Sequence, residues 1–343
     1  MFHESENYAI FKPYRMKNKQ LQKILPMLII LVSLVLIGLF FASQKIASSE
    51  SEKLAKEREQ ATQAENSDLG KQVKILFVGD IMLDRYIRHI SEKKGVDFVF
   101  AGTQKILSEN DLVVGNLEGP ITNNPSVSVG SEIGAHDNYI FTFDQNVAAD
   151  LWKNNIKLVN IGNNHILNFG ADGLAQTKEN LSSSKIDYFG DPADEKRIAI
   201  WNKNGLKLAF VNYNQFEKDG AAKALDEIQS AKKMNVDKII LYTHWGTEFV
   251  VDPDAKIKEL AHGFIDSGAD LIIGSHPHVI QSKEEYKGKM IYYSLGNFIF
   301  DQYFSPQTQQ GLTVQIELNS KDKKIIIKEI QVILKPNGQT VKR

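Results

Sequence analysis

Six side chains able to ligate a cation recur at one kind of place in this sequence, at the end of a short apolar run. Asp80 ends KILFVGD, Glu118 ends DLVVGNLE, and Asn164, with His165 beside it, closes KLVNIGNNH. His244 lies in KIILYTHWG, and His276 and His278 follow DLIIG. Two carboxylates, an amide oxygen and three imidazoles make a mixed hard and borderline donor set, suited to Mn, Fe or Zn rather than Ca or Mg alone. Two ions fit that set better than one. A bridging carboxylate would hold ions roughly 3.5 to 4 Å apart, where one lowers the pKa of a bound water and both clamp a phosphoryl oxygen.

Taken singly, each residue also has a plain structural reading. Asp80 could cap a helix N-terminus. Glu118, ahead of Gly119 and Pro120, could sit in a turn and face water. The two asparagines of GNNH could hold a hydrogen-bonded turn. His276 and His278 flank Pro277 in a segment expected to be extended; they could be a structural pair, or converge on adjacent ions where the loop bends. His89 and His262 fall within amphipathic patterns and read as ordinary helix residues. With no cysteine in the chain, disulfides, thiolate sites and a cysteine nucleophile are excluded, so any metal rests on His, Asp, Glu or Asn.

These positions need elements that carry them to one place. From Val73 onward, short apolar runs bounded by Gly, Asn and Asp alternate with segments of helical spacing at 171–184, 221–233 and 254–267, which predicts an α/β fold. GLTVQIEL and KKIIIKEIQVIL around NSKDK read as a closing β-hairpin. In open α/β sheets, ligands bind beyond the carboxyl ends of the strands, so residues distant in sequence could share one crevice there. The 343 residues, 42% hydrophobic and 24% charged, suffice for one large core or two modest ones. A net charge of -1 offers no general attraction to nucleic acid, and an anion would need a local site.

The uncharged stretch ILPMLIILVSLVLIGLFFASQ, residues 24–44, is long enough to span a bilayer and has no polar face. Arg15, Lys17, Lys19 and Lys23 precede it, against Lys45 and Lys53 behind, which predicts a cytoplasmic N-terminus. A cleaved signal peptide is the alternative, but no Ala-x-Ala site follows. The expected organisation is a cytoplasmic segment at 1–23, a signal-anchor helix at 24–44, a polar stalk at 45–71 and an extracytoplasmic domain at 72–343, on a single-pass protein of the cell membrane.

The ordered blocks GDIMLDR, GNLEGPIT, GNNHILNFGADGL, HWGTEF, GSHPHVIQ and YSLGNFIFDQ resemble those of the CapA family of poly-γ-glutamate capsule synthesis proteins, a branch of the calcineurin-like metallophosphoesterases. The resemblance implies a four-layer α/β/β/α sandwich and two divalent transition metals. It makes Asp80 a ligand of the first metal with His278, Glu118 the bridge, and Asn164, His244 and His276 ligands of the second. His165 would be the catalytic proton donor or transition-state stabiliser. Arg85, Glu248 and Asn297 would bind substrate, Arg85 as an anion clamp, with Trp245 nearby. Two departures stand out: Asn168 replaces a family carboxylate, and Met82 replaces a superfamily imidazole. Residues 125–143 leave the family pattern and are expected to form a loop over the site that sets substrate choice. The implied function is capsule synthesis or export with a phosphoesterase-like hydrolase site, or else non-catalytic polymer binding or synthase assembly around a structural metal site. The implied partners are the membrane, an anionic polymer such as poly-γ-glutamate, and membrane synthase subunits.

Overall fold

The computed structural model of the protein describes residues 19–68 and 70–343. It divides into two compact units, Met1–Leu69 and Gly70–Arg343. The described part of the first unit is one helix, α1 (Lys19–Asp68). Its segment Lys23–Glu59 is long and apolar enough to cross a membrane, with a mean hydropathy of 3.0 in its most apolar window. The expected polar stalk continues the same helix as far as Asp68, because Ala, Glu, Lys and Gln are good helix formers and no Gly or Pro intervenes. Residues 1–18 of the expected cytoplasmic segment lie outside the described residues.

Two mixed sheets form the second unit. The first contains β1 (Gln72–Ile81), β2 (Leu112–Leu117), β3 (Ile156–Asn160) and β4 (Asp187–Phe189), which run parallel side by side. On the other side of β1 it continues antiparallel through β12 (Gln310–Asn319), β13 (Ile325–Leu334) and β14 (Thr340–Lys342), with β11 (Asn297–Ile299) pairing parallel to the end of β1. β12 and β13 are the hairpin that the tail predicts. The second sheet has the order β5-β6-β7-β8-β10-β9, from β5 (Ala199–Lys203), β6 (Leu206–Asn214), β7 (Lys238–His244), β8 (Leu271–Ser275), β9 (Lys283–Tyr286) and β10 (Lys289–Tyr292). Strands β6, β7, β8 and β10 are parallel.

Three apolar layers separate four structural ones. Alternate residues of β1 face opposite ways. Leu76 and Val78 pack with Ile87 and Ile90 of α2 (Arg85–Lys94), alongside α3 (Val96–Phe100), α4 (Gln104–Ser108), α5 (Val147–Lys153) and α6 (Gly170–Ser183). Val73, Ile75 and Phe77 instead meet Phe210, Ile240 and Tyr242 of the second sheet. The far face of that sheet, through Val211, Leu241 and Ile272, packs on α7 (Gly220–Lys233) and α8 (Ala255–Ser267). The result is the α/β/β/α sandwich that the resemblance implies. Helices α6, α7 and α8 fall within a residue or so of their expected spans.

The sheets are tied by polar contacts as well as by area. Tyr242 of β7 donates its hydroxyl to the Val78 carbonyl of β1 at 2.5 Å, and the Asn212 amide of β6 donates to Asn160 Oδ1 of β3 at 2.8 Å. Close backbone approach at the end of β1 adds a third constraint. A Cβ on Gly79 would lie 1.8 Å from the Gly296 carbonyl oxygen, which also accepts from Asp80 N at 3.1 Å. Gly79→Ala is therefore expected to destabilise the unit by about 1–3 kcal/mol. Urea unfolding checks this, and a midpoint equal to that of the wild type would show that β11 can yield freely.

Candidate metal centre

Strand ends deliver the ligating side chains. In the register of β1, Asp80 stands beside Asn116 of β2 and Asn297 of β11. Glu118 is the first residue beyond β2, and Asn163, Asn164 and His165 lie in the turn after β3. His244 is the last residue of β7, in register with Ser275, the last of β8, and His276 follows at once. The turns bring these residues together. His278 Nδ1 lies 3.4 Å from Asp80 Oδ2, and its Nε2 lies 3.4 Å from Glu118 Oε1. Asn164 Oδ1 lies 2.8 Å from His244 Nε2, and the His244 and His276 rings are 4.7 Å apart. Two groups of ligand atoms result, Asp80 with Glu118 and His244, and Glu248 with His276 and His278, each within 4.8 Å.

The segment around Pro277 is not extended as expected. His276 and His278 have φ of 96° and 58°. Both therefore occupy backbone regions that non-glycine residues seldom adopt, and such strain persists only where the surroundings over-determine it. Here His276 N donates to Asp80 Oδ2 at 3.2 Å and Phe249 N donates to the Pro277 carbonyl at 2.8 Å. The two imidazole rings stand 6.0 Å apart, centroid to centroid.

Proton counting shows which lone pairs are left over. Asn116 has two amide protons, and they reach Asp80 Oδ1 (2.9 Å) and Glu118 Oε2 (3.2 Å). The Ser275 hydroxyl donates to the Thr243 carbonyl (2.7 Å), so it accepts from His244 Nδ1 at 3.0 Å. His244 Nε2 then presents a lone pair to Asn164 Oδ1. The Asn297 amide nitrogen donates to Gln302 and Thr308, leaving its Oδ1 to accept from His278 Nδ1 at 3.0 Å. His278 Nε2 likewise turns a lone pair toward Glu118. Glu118 Oε1 and His276 Nδ1 are buried with no hydrogen-bond partner. Buried lone pairs that face one another without protons between them are what a cation satisfies, so these residues fit a divalent-metal centre.

The charges agree. Burial, together with the neighbouring Asp80 charge, holds the Glu118 carboxyl well above its ordinary range. Burial also raises Asp80, but hydrogen bonds from His278 and Asn116 outweigh it and leave Asp80 below its usual value. Burial and the adjacent imidazoles depress His276 to about 4 and His165 to about 3, and push His244 well below the usual imidazole value. All three rings are neutral at pH 7 and keep their lone pairs.

The remaining residues take varied places. His165 Nε2 lies 4.0 Å from Glu118 Oε1, with its ring over Phe141. Asn168 donates to the Tyr139 carbonyl (2.8 Å) and lies 3.3 Å from His165 Nδ1, so this position adds no negative charge behind the ring. Glu248 joins the ligand atoms rather than standing apart from them. Asn297 is buried and holds His278. Arg85 is engaged by Asp301 and by Asn138 Oδ1 (3.2 Å), and packs over Phe141 and Phe300. Trp245 belongs to the core beneath α8, donating to the Tyr293 carbonyl at 2.8 Å. Met82 is buried, its sulfur facing the Asp84 N–H at 3.1 Å. Sequence reasoning missed Asn116 and Ser275; a lone Asn inside the apolar run LVVGNL was the available signal for the first. Residues 125–143 do form a loop, and it lines a cavity of about 770 Å³ that opens at His165, Glu248 and His278.

Residues 74–302 match the family described as bacterial capsule synthesis protein PGA_cap. The PGA biosynthesis protein CapA of Bacillus subtilis (strain 168) is 32% identical over 260 residues, which cover 71% of this chain and 67% of that protein. The capsule biosynthesis protein CapA of Bacillus anthracis is 30% identical over 270 residues, 73% of this chain and 65% of that protein. The chain thus spans about two thirds of the length of both relatives. A solved structure of a hypothetical protein from Thermus thermophilus superposes with a TM-score of 0.46 at 17% identity, covering 75% of this chain and 98% of that one.

Glu118 offers a direct check on the charge balance. A carboxyl whose pKa is raised on folding contributes stability below its unfolded value, and that contribution is lost as pH rises through the folded value. Glu118→Gln removes this loss. The metal-free variant is expected to melt higher than wild type at pH 8, with the difference vanishing near pH 4.5, and to bind Mn or Zn roughly 100-fold more weakly. Thermal melts across pH and metal titration measure both effects; equal melting at pH 8 would count against a buried, frustrated carboxylate.

Proposed function

Because the chain belongs to the bacterial capsule synthesis protein family, matched over residues 74–302, we propose that it is a membrane-anchored capsule synthesis or export factor with a dinuclear-metal, phosphoesterase-like hydrolase site. The observation that carries the chemistry is the pair of ligand groups, Asp80 with Glu118 and His244, and Glu248 with His276 and His278, beside His165 at a cavity mouth. Asn164 joins the first group through its contact with His244. The relatives' names link this family to capsule and PGA biosynthesis, and for this chain we extend the link to a poly-γ-glutamate pathway. Membrane synthase subunits are its expected partners.

In this reading residues 1–23 are cytoplasmic, 24–44 cross the membrane, 45–71 form a helical stalk, and 72–343 work outside. Glu118, within 3.4 Å of His278 and grouped with His244, would hold metal together with both ligand groups. When bound, divalent metals supply Lewis acidity to a phosphoryl oxygen and lower the pKa of water. Asn116 and Asn297 hold the ligands in orientation, and the buried walls exclude bulk water. His165 is neutral at pH 7. It therefore serves as an N–H hydrogen-bond donor to developing charge rather than as an imidazolium acid.

A second reading has one specific observation behind it. Met82 replaces an imidazole, and its thioether is taken up by Asp84 N–H, so the first group lacks a donor of the phosphoesterase type. A polymer-binding or synthase-assembly factor with a structural metal site would tolerate that loss.

The full chain in detergent, loaded with Mn or Zn, separates the two. His165→Ala is expected to keep its metal and lose turnover of bis(p-nitrophenyl) phosphate and p-nitrophenyl phosphate by about 10²–10⁴-fold, whereas His278→Ala should lose both metal and turnover. Two bound metals without turnover in the wild type would favour the second reading. Protein that takes up no metal would sink the dinuclear centre itself.

A further inference from the structure

We propose that the cavity beside the metal-ligand groups is a subsite for a neutral sugar ring, so that the ester presented to the cluster carries a glycosyl portion rather than a run of polyglutamate. This rests on the hydrolase reading for the position of the bond, and on the cavity alone for the nature of the group.

Exposed aromatic rings are concentrated here. Outside α1, among the described residues, the strongly exposed aromatics are Tyr86, Tyr139, Trp152, Phe216, Phe249 and Phe304. Four of these six, Tyr86, Tyr139, Phe249 and Phe304, line this one cavity. They are braced rather than loose. Tyr86 packs edge-on against Tyr303 at 6.1 Å and stacks on His89, and Phe249 packs edge-on against Phe304 at 5.2 Å. Phe304 is 66% exposed, a state with a hydrophobic cost unless a ligand covers it. Flat aromatic faces with phenol hydroxyls at their edges suit the C–H faces and hydroxyls of a pyranose. The volume of about 770 Å³ is of ligand size.

Charge argues against a polyanion in the same space. A γ-linked glutamate chain carries one carboxylate per residue. Metal ions at the cluster would serve one anionic group, and the cavity beyond would need cations for the next. Arg85 is the one Lys or Arg in its lining, and Asp301 already pairs with it. Glu248, the other carboxylate of the lining, belongs to the ligand groups. Outside those groups the Arg85–Asp301 pair leaves the lining with no unpaired Lys or Arg. Burying unpaired carboxylates against it is unfavourable, whereas an uncharged ring meets no such penalty.

The test uses the full chain in a detergent without a sugar headgroup, loaded with Mn. Calorimetry measures binding of cellotetraose, chitotetraose and a γ-glutamate tetramer. At least one neutral oligosaccharide should bind, and Tyr86→Ala and Phe304→Ala should each weaken it roughly tenfold, while Trp152→Ala, an exposed aromatic elsewhere, should not. In parallel, the ratio of kcat/KM for glucose 1-phosphate to that for ring-free methyl phosphate should fall roughly tenfold in Phe304→Ala. The proposal is overturned if neither oligosaccharide binds, if the aromatic variants bind as wild type does, or if the γ-glutamate tetramer binds and loses affinity in those variants. Absence of turnover on both esters would defeat the hydrolase reading alone, since the binding results judge the subsite independently.

Discussion

Two carboxylates buried side by side with too few protons between them are the constraint on which this structure turns. Asp80 and Glu118 are both fully buried, and one amide, that of Asn116, reaches both. Leaving them so costs free energy, and the ring lone pairs turned toward them add to that cost, which makes the site a receptor for positive charge. The same amide belongs to a longer chain. Asn116 Oδ1 accepts from Asn160 and Asn163, and Asn160 Oδ1 accepts from Asn212 of the second sheet. Ligand orientation and the pairing of the two sheets are therefore one hydrogen-bonded system, in which a fully satisfied network is worth more than its separate bonds.

The loop over the cavity hangs on a second buried acid. Asp84 receives hydrogen bonds from Ser126, Ser128 and Thr142 N, and pairs with Arg88 of α2. Arg85, one residue on, joins the loop through Asn138 to the segment after β11 through Asp301. The resemblance to a known family casts Arg85 as a clamp for anions; in the protein its two terminal nitrogens meet Asn138 and Asp301, while its Nε is buried without a partner. The guanidinium also packs over Phe141 and Phe300 in the wall beside His165.

The extent to which the site was legible depends on the range of the physics involved. Asp80, Glu118, Asn164, His244 and His276 were recognisable because each stands where a short apolar run ends, and burial of a strand forces polar chemistry to its terminus. The role of Glu248 was harder to read, since it lies in the loop after β7 rather than at a strand end. Asn116 was concealed within an apolar strand. The left-handed backbone at His276 and His278 had no local cue, since residues flanking a proline ordinarily favour extended conformations.

Local periodicity and composition determined by themselves that this chain has an apolar helix able to span a membrane, an α/β unit with ligating residues at its strand ends, and no thiol chemistry. Those are short-range properties, written in runs of a few residues. The tertiary structure alone decided that the six candidate ligand positions meet, that Glu248 stands among them, and that Arg85 is paired with a partner 216 positions away. It also decided that burial keeps His165 neutral. Each of these depends on strand order, register and the shared low-dielectric interior, which no local stretch of sequence encodes.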